Sequence, residues 1–322
     1  MPKKKRLFVA FSWLNAQPLR IGQYYLNKDA FDKKEDVPGI YELSDLPYTK
    51  KQKVPKKYHP KKAAVGKGRS HLLDIESPTP LEGKRLEKLP VIVCVHGGAY
   101  LTNNKECNRP QCQYMASKGF KVVNVNYTLQ PEANLYGDME DLNRAFAWIG
   151  ENAKKYGFDT DNVFMTGDSS GGHMCLLYAG LRTQKELQKM MDIKPAGPDI
   201  RAVAVTCPVG SFEASDLISR VFRNLAGRLY DKEERHMLSY EGYMGENYPE
   251  VAIVTTETDV PIHSTTKGIH EFMEAKGLAH EYRCFEGKEH ELHHVFNVLH
   301  PYWEESIEAN DFILDFFERK KK

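Results

Sequence analysis

Ser169 lies in the run Gly167-Asp168-Ser169-Ser170-Gly171-Gly172, with a glycine two residues to either side. A serine hydroxyl is a weak nucleophile and attacks a carbonyl only when it is held exposed beside a base. A strained strand-to-helix turn gives that exposure, and the turn needs glycine where the neighbouring strand and helix press closest. Gly167 and Gly171 stand where that need falls. The bare spacing is common by chance, but its flanks make it informative: residues 162–166 read as a strand and 174–181 as an apolar helix. Ser170 would put Asp168 where a small residue is required, so Ser169 is the expected nucleophile.

Acyl transfer also needs N–H donors aimed at the oxygen that becomes negative in the tetrahedral intermediate. His96-Gly97-Gly98-Ala99-Tyr100 directly follows an apolar strand-like run at 91–95. The backbone of Gly97, Gly98 and Ala99, with Ser170 at the helix start, is the expected oxyanion hole.

The two motifs together resemble the H-G-G-G and G-D-S-A-G-G signatures of hormone-sensitive-lipase-like esterases, a family of the α/β-hydrolase fold. The resemblance runs from about residue 70 to 318 and includes Asn126-Tyr127-Thr128-Leu129-Gln130-Pro131-Glu132, similar to that family's Y-R-L-A-P-E segment. Two positions depart from it, Ala99 for the third glycine and Ser170 for alanine, and both still offer a backbone N–H. His96, by the same resemblance, shapes its loop rather than taking part in chemistry. In the order serine, acid, histidine, the resemblance implies Asp259 as the acid, in Thr256-Glu257-Thr258-Asp259-Val260-Pro261, with Glu257 as the fallback. Three histidines, His290, His293 and His294, follow the last strand-like run. Ungapped counting from Phe285 favours His290. His294-Val295-Phe296 resembles the family's H-G-F and favours His294, which is the expectation, with His290 and His293 as alternatives.

The elements that must position these residues alternate along the chain from about residue 66. Runs at 91–95, 121–125, 162–166, 202–206, 251–255 and 281–285 are short and mostly apolar, as strands buried on both faces should be. Helical spacing of apolar residues over 138–156 and 265–276 supplies crossovers, so the fold class is α/β with a mostly parallel sheet covered by helices. Residues 1–65, lysine- and proline-rich, read as an N-terminal extension contributing to a cap, with a short helix at 19–26. Residues 66–322 read as the catalytic domain, and an aromatic-rich, charged stretch at 211–247 as a cap insertion.

Composition bounds the partners. Of 322 residues 41% are hydrophobic, and 45 Lys and Arg nearly balance 44 Asp and Glu, which argues against a nucleic-acid partner. The basic starts at Lys3-Lys4-Lys5-Arg6 and the seven lysines of 50–62 read as solvated tails. Neither a signal peptide nor an apolar run long enough to span a membrane is visible, so the expected location is cytoplasmic. Cys94, Cys175, Cys207 and Cys284 read as small core residues, Cys107 and Cys112 as unpaired thiols, and no ligand spacing indicates a metal. The expected partner is a small-molecule ester, with a homo-oligomer left open and no cofactor needed. The expected function is hydrolysis of short-chain carboxylic esters through an acyl-enzyme. An amidase, deformylase or peptidase on the same triad is the alternative, because specificity lies in the pockets. A non-catalytic small-molecule receptor is a third reading, opposed by the complete triad.

Overall fold

The computed structural model describes residues 37–49, 70–83, 86–130, 132–213, 230–260 and 262–322. Eight strands form one sheet in the order β1-β2-β4-β3-β5-β6-β7-β8. They are β1 (Tyr41–Pro47), β2 (Leu72–Ser77), β3 (Leu89–Val95), β4 (Lys121–Val125), β5 (Phe158–Asp168), β6 (Ala202–Thr206), β7 (Glu250–Thr256) and β8 (His280–Phe285). From β4 to β8 every neighbouring pair is parallel, while β2 runs antiparallel to both β1 and β4.

The period of two along β3 explains why its run is apolar throughout. Val91, Val93 and Val95 face one hydrophobic cluster, whereas Ile92 and Cys94 face another on the opposite side of the sheet. Helices fill both sides. They are, in chain order, α1 (Arg109–Ser117), α2 (Leu135–Tyr156), α3 (Ser169–Thr183), α4 (Lys185–Met191), α5 (Lys232–Met237), α6 (Tyr240–Tyr243), α7 (His263–Lys276), α8 (Phe296–Leu299) and α9 (Glu304–Arg319). The cores of α2, α3 and α7 pack on the first face and those of α1 and α9 on the second.

Helix α2 shows how local sequence sets these boundaries. The Asn134 side chain accepts from the Gly137 N–H at its start, and Gly157 ends it in the left-handed region at φ 67°. A Cβ on Gly157 would stand 2.4 Å from the Glu87 carbonyl, so the position needs glycine on two counts. Among the described residues no helix is long and apolar enough to cross a membrane.

One boundary is corrected. Residues 41–47, read from sequence as part of a peripheral extension, form the edge strand β1, paired to β2 through a bulge at Leu43/Leu46. Beside the bulge, Asp45 N–H donates to Asp74 Oδ1 at 2.7 Å, and buried Lys105 Nζ bridges Asp45 and Asp74 at 2.9 and 2.8 Å. The helix expected at 19–26 and the lysine-rich stretch at 50–62 lie outside the described residues, as does 214–229 of the insertion.

The parallel strands carry the chemistry at their C-terminal ends. The loop after β3, the turn after β5 and the loops after β7 and β8 hold every candidate residue, as is general for open α/β sheets.

Candidate active site

Strand β5 ends at Asp168 and helix α3 begins at Ser169, with nothing between them. The turn is made by Ser169 itself, at φ 51°, a left-handed conformation uncommon for a side-chain-bearing residue. The glycines around it are sterically required. A Cβ on Gly171 would lie 2.2 Å from the Val95 carbonyl oxygen and 2.5 Å from that of His96, and one on Gly167 would meet Gly171 and Val95 at 2.8 Å. Because these obstacles are backbone, Gly171→Ala must push β3 and α3 apart. A loss of stability of about 3 kcal/mol, at the upper end of overpacking costs, is expected by urea denaturation.

Asp168, between turn and strand, is buried, and its Oδ1 accepts from the Asn108 side-chain amide at 2.8 Å and from the Gly97 N–H at 3.0 Å. Burial lifts this carboxyl above the usual carboxylate range, while those two donors pull the other way. The bond corrects one expectation: the Gly97 amide is committed to Asp168 and is not available to an oxyanion. The N–H groups of Gly98, Ala99 and Ser170 have no acceptor among the described residues. Ser170 gains a reason as well, since its Oγ accepts from the Tyr100 N–H at 3.1 Å and ties the β3 loop to α3.

That loop is held in an unusual shape. Gly98, Ala99, Tyr100 and Asn103 all have positive φ, and the Gly98 carbonyl accepts from the N–H groups of Leu101 and Thr102 and from the Thr102 hydroxyl. His96 stacks on Tyr127 at 4.4 Å, and its Nδ1–H donates to the Gly97 carbonyl at 2.7 Å. Burial lowers the His96 pKa to about 4, so the ring is a neutral packing piece.

After β7 and β8 the acid and one histidine meet. His294 Nδ1–H donates to Asp259 Oδ2 at 2.8 Å; Asp259 is 3% exposed, and the imidazole is 37% exposed. The Nε2 of His294 has no partner among the described residues. His294, Ser169, Gly98 and Ala99 line one cavity of about 420 Å³. His290 faces elsewhere: it pairs with Glu305 at 3.0 Å and stacks on Trp303 at 4.2 Å. His293 lines the cavity, but its Nδ1–H donates to the His294 carbonyl. Glu257 is exposed. The loop is pinned on both sides of His294, by Thr258 Oγ1 donating to the Leu292 carbonyl at 2.6 Å and by the buried ring of Phe296.

A family model, BD-FAE, matches residues 73–262, more than half of the chain and the part that carries the β3 loop, the turn and Asp259. The chain belongs to the BD-FAE family. It is 38% identical over 117 residues to Esterase LipQ of Mycobacterium tuberculosis. It is 32% identical over 96 residues to Carboxylesterase NlhH of the same organism. These matches cover 35% and 30% of this chain but only 26% and 30% of the two relatives. The fold matches that of Esterase B from Lactobacillus rhamnosis, with a TM-score of 0.81 at 22% identity and 96% of each chain covered. The α/β-hydrolase fold expected from the two motifs is the fold of this BD-FAE chain, and relatives named esterases agree with the resemblance they carry.

Two residues beside the site of this BD-FAE chain were given no part in it by the sequence reading. His173, one turn into α3, accepts from the Tyr100 hydroxyl at Nδ1 (2.8 Å) and donates from Nε2 to the Leu238 carbonyl (2.9 Å), linking the β3 loop to the insertion. Burial lowers its pKa to about 4, which preserves the neutral form these two bonds require. Cys207, taken as an ordinary core residue, sits at φ 45° just after β6. Its Sγ lies within 4.8 Å of the ligand atoms of Asp259 and His294, and burial keeps the thiol protonated.

Proposed function

We propose that this chain hydrolyses carboxylic esters by a serine mechanism with an acyl-enzyme, and that it favours short acyl groups. The observation that carries the reading is the 2.8 Å bond from His294 to buried Asp259, beside a cavity that the left-handed Ser169 also lines. His294 Nε2 takes the hydroxyl proton as Ser169 Oγ attacks the ester carbonyl. Asp259 holds Nδ1–H in place and stabilises the imidazolium that forms. The amides of Gly98, Ala99 and Ser170 receive the oxyanion. His294 then returns the proton to the departing alcohol, and a water molecule, activated by the same base, releases the acid. No cofactor takes part in any step. The relatives named as esterase and carboxylesterase support the choice of an ester bond.

The preference for short chains rests on the size of the cavity and on the charge of the insertion that we propose as its cap. A volume of about 420 Å³ is near the small end for ligand sites. Its apolar wall consists of Ile262, Val295, Val298 and Leu299. Helix α5 of the insertion is charged and does not line this cavity: it is Lys-Glu-Glu-Arg-His-Met, buries none of its residues, and is closed by a capping box between Asp231 and Glu234. An apolar landing surface for lipid would have to desolvate such groups. With p-nitrophenyl esters from acetate to palmitate, kcat/KM is expected to peak between acetyl and butyryl and to fall by octanoyl. Each further methylene held in a long tunnel would instead add about 0.8 kcal/mol, so a maximum at ten or more carbons would identify a lipase. Faster turnover of the matching anilide than of the ester would favour the amidase reading.

A further inference from the structure

The geometry points to an inhibitory metal site built into the base pair itself: a thiophilic divalent cation such as Zn²⁺ or Cd²⁺ is held by Cys207 Sγ, an Asp259 carboxylate oxygen and His294 Nδ1. This inference rests on the reading of His294 as the base. The three ligand atoms lie within 4.8 Å of one another, and they form the thiolate, carboxylate and imidazole set that zinc prefers. Sulfur and nitrogen ligands on a tetrahedral zinc lie roughly 3.6 Å apart, about an ångström inside that limit. The set therefore closes around an ion with small side-chain rotations. The His294–Asp259 contact at 2.8 Å opens slightly as the ion replaces the proton between them.

The backbone at Cys207 fixes where the thiol sits. A non-glycine residue at φ 45° is strained, and the strain is held by the Cys207 N–H donating to the Val254 carbonyl at 2.8 Å. The result is a thiol beside the carboxylate at the end of β6. Cys207 is 0% exposed and Asp259 3%, whereas His294 is half-buried, so an ion enters as the imidazole swings outward.

The consequence for catalysis follows from proton balance. Before binding, Cys207 carries S–H, His294 carries its proton on Nδ1, and Nε2 is the free base. When the cation binds, the thiol loses one proton to solvent and the S–metal bond forms. The imidazole proton leaves Nδ1 for Nε2, and Nδ1 bonds the metal. No electron is transferred. Nε2 now bears hydrogen and cannot accept the Ser169 proton, so binding switches off the base without touching the nucleophile.

The test uses CdCl₂ on the full chain, with two readouts. Turnover of p-nitrophenyl acetate is expected to fall by about 10³-fold at saturating Cd²⁺, as for loss of the same general base. Chelation by EDTA restores it, and Mg²⁺, a cation that prefers oxygen ligands, has no effect at the same concentration. Cys207→Ala turns over at the parent rate and resists Cd²⁺, and Cys207→Ser serves as the control if the alanine variant folds poorly. The second readout is the ultraviolet charge-transfer band of a cadmium–thiolate. It is measured on Ser169→Ala and is expected to vanish in Ser169→Ala/Cys207→Ala. Inhibition or a band that survives loss of Cys207, or equal inhibition by Mg²⁺, would overturn the site. A Cys207-dependent band in a protein with no esterase turnover would instead sink the ester reading and leave the metal site standing.

Discussion

Ser169→Ala is expected to lower turnover of activated esters by at least about 10³-fold while the protein stays folded. The separation of the two effects follows from the position of the side chain. Ser169 is 8% exposed and lines the cavity, and no described residue accepts a hydrogen bond from its hydroxyl, so truncation to the Cβ removes a reacting atom without removing a core contact. Its φ of 51° is as strained for alanine as for serine, so the turn keeps the same backbone cost. The residual rate would come from the amides of Gly98, Ala99 and Ser170 and from binding alone. Circular dichroism and a urea midpoint within experimental error of the parent check the fold, and stopped assays with p-nitrophenyl butyrate check the rate. Activity near the parent level in a folded variant would end the serine reading.

The sequence was most legible where burial on both faces forces a run of apolar residues. Strands β3 to β7 hold such runs, and the expected spans lie within or match them, as does the span 281–285 in β8, although β8 buries only Phe285. The turn at Ser169 was legible because a backbone carbonyl within 2.2 Å of a would-be Cβ leaves only glycine at 171. Strands β1 and β2 were not legible by that rule. Tyr-Glu-Leu-Ser-Asp-Leu-Pro, an edge strand mostly exposed or half-buried, ends in proline. β2 buries Asp74 and Glu76 among its apolar residues, breaking the pattern; Asp74 is answered by Lys105, which lies 31 positions away.

The site divides in the same way. Which amides face a substrate depends on where a neighbouring carboxylate points, and Asp168 takes the Gly97 N–H through a contact 71 residues apart in sequence. The Asp in Gly167-Asp168-Ser169 was the available signal, since a buried carboxylate next to a glycine-rich loop must find backbone donors. Cys207 was invisible for another reason. A cysteine after an apolar strand looks like core filling, and only the positive φ and the neighbouring Asp259 distinguish it.

The choice among the histidines was the ambiguity that spacing left open, and it yields the second large effect. His294→Ala is expected to reduce kcat by about 10³-fold or more with little change in KM, because general-base assistance and imidazolium stabilisation act in the transition state. His290→Ala, under identical conditions, is expected to retain most of its kcat. The reason lies in Glu305, whose Oε1 accepts from the N–H groups of Lys288, Glu289 and His290 and whose Oε2 pairs with the His290 ring. Removing that ring leaves three backbone bonds to hold the loop, and Phe296 still anchors its far end. The variant should therefore lose stability rather than chemistry, by about 1 kcal/mol for one charge-assisted bond. Asp259→Asn supplies the cross-check. An amide at that position favours the wrong imidazole tautomer, so kcat should fall as steeply as in His294→Ala, and the double variant should be little worse than either single one. Additive losses would mean that the two residues do not act as a unit. A steep loss in His290→Ala with His294→Ala spared would mean that the pair of His290 and Glu305 is the working one and that the histidine loop rearranges to reach Ser169.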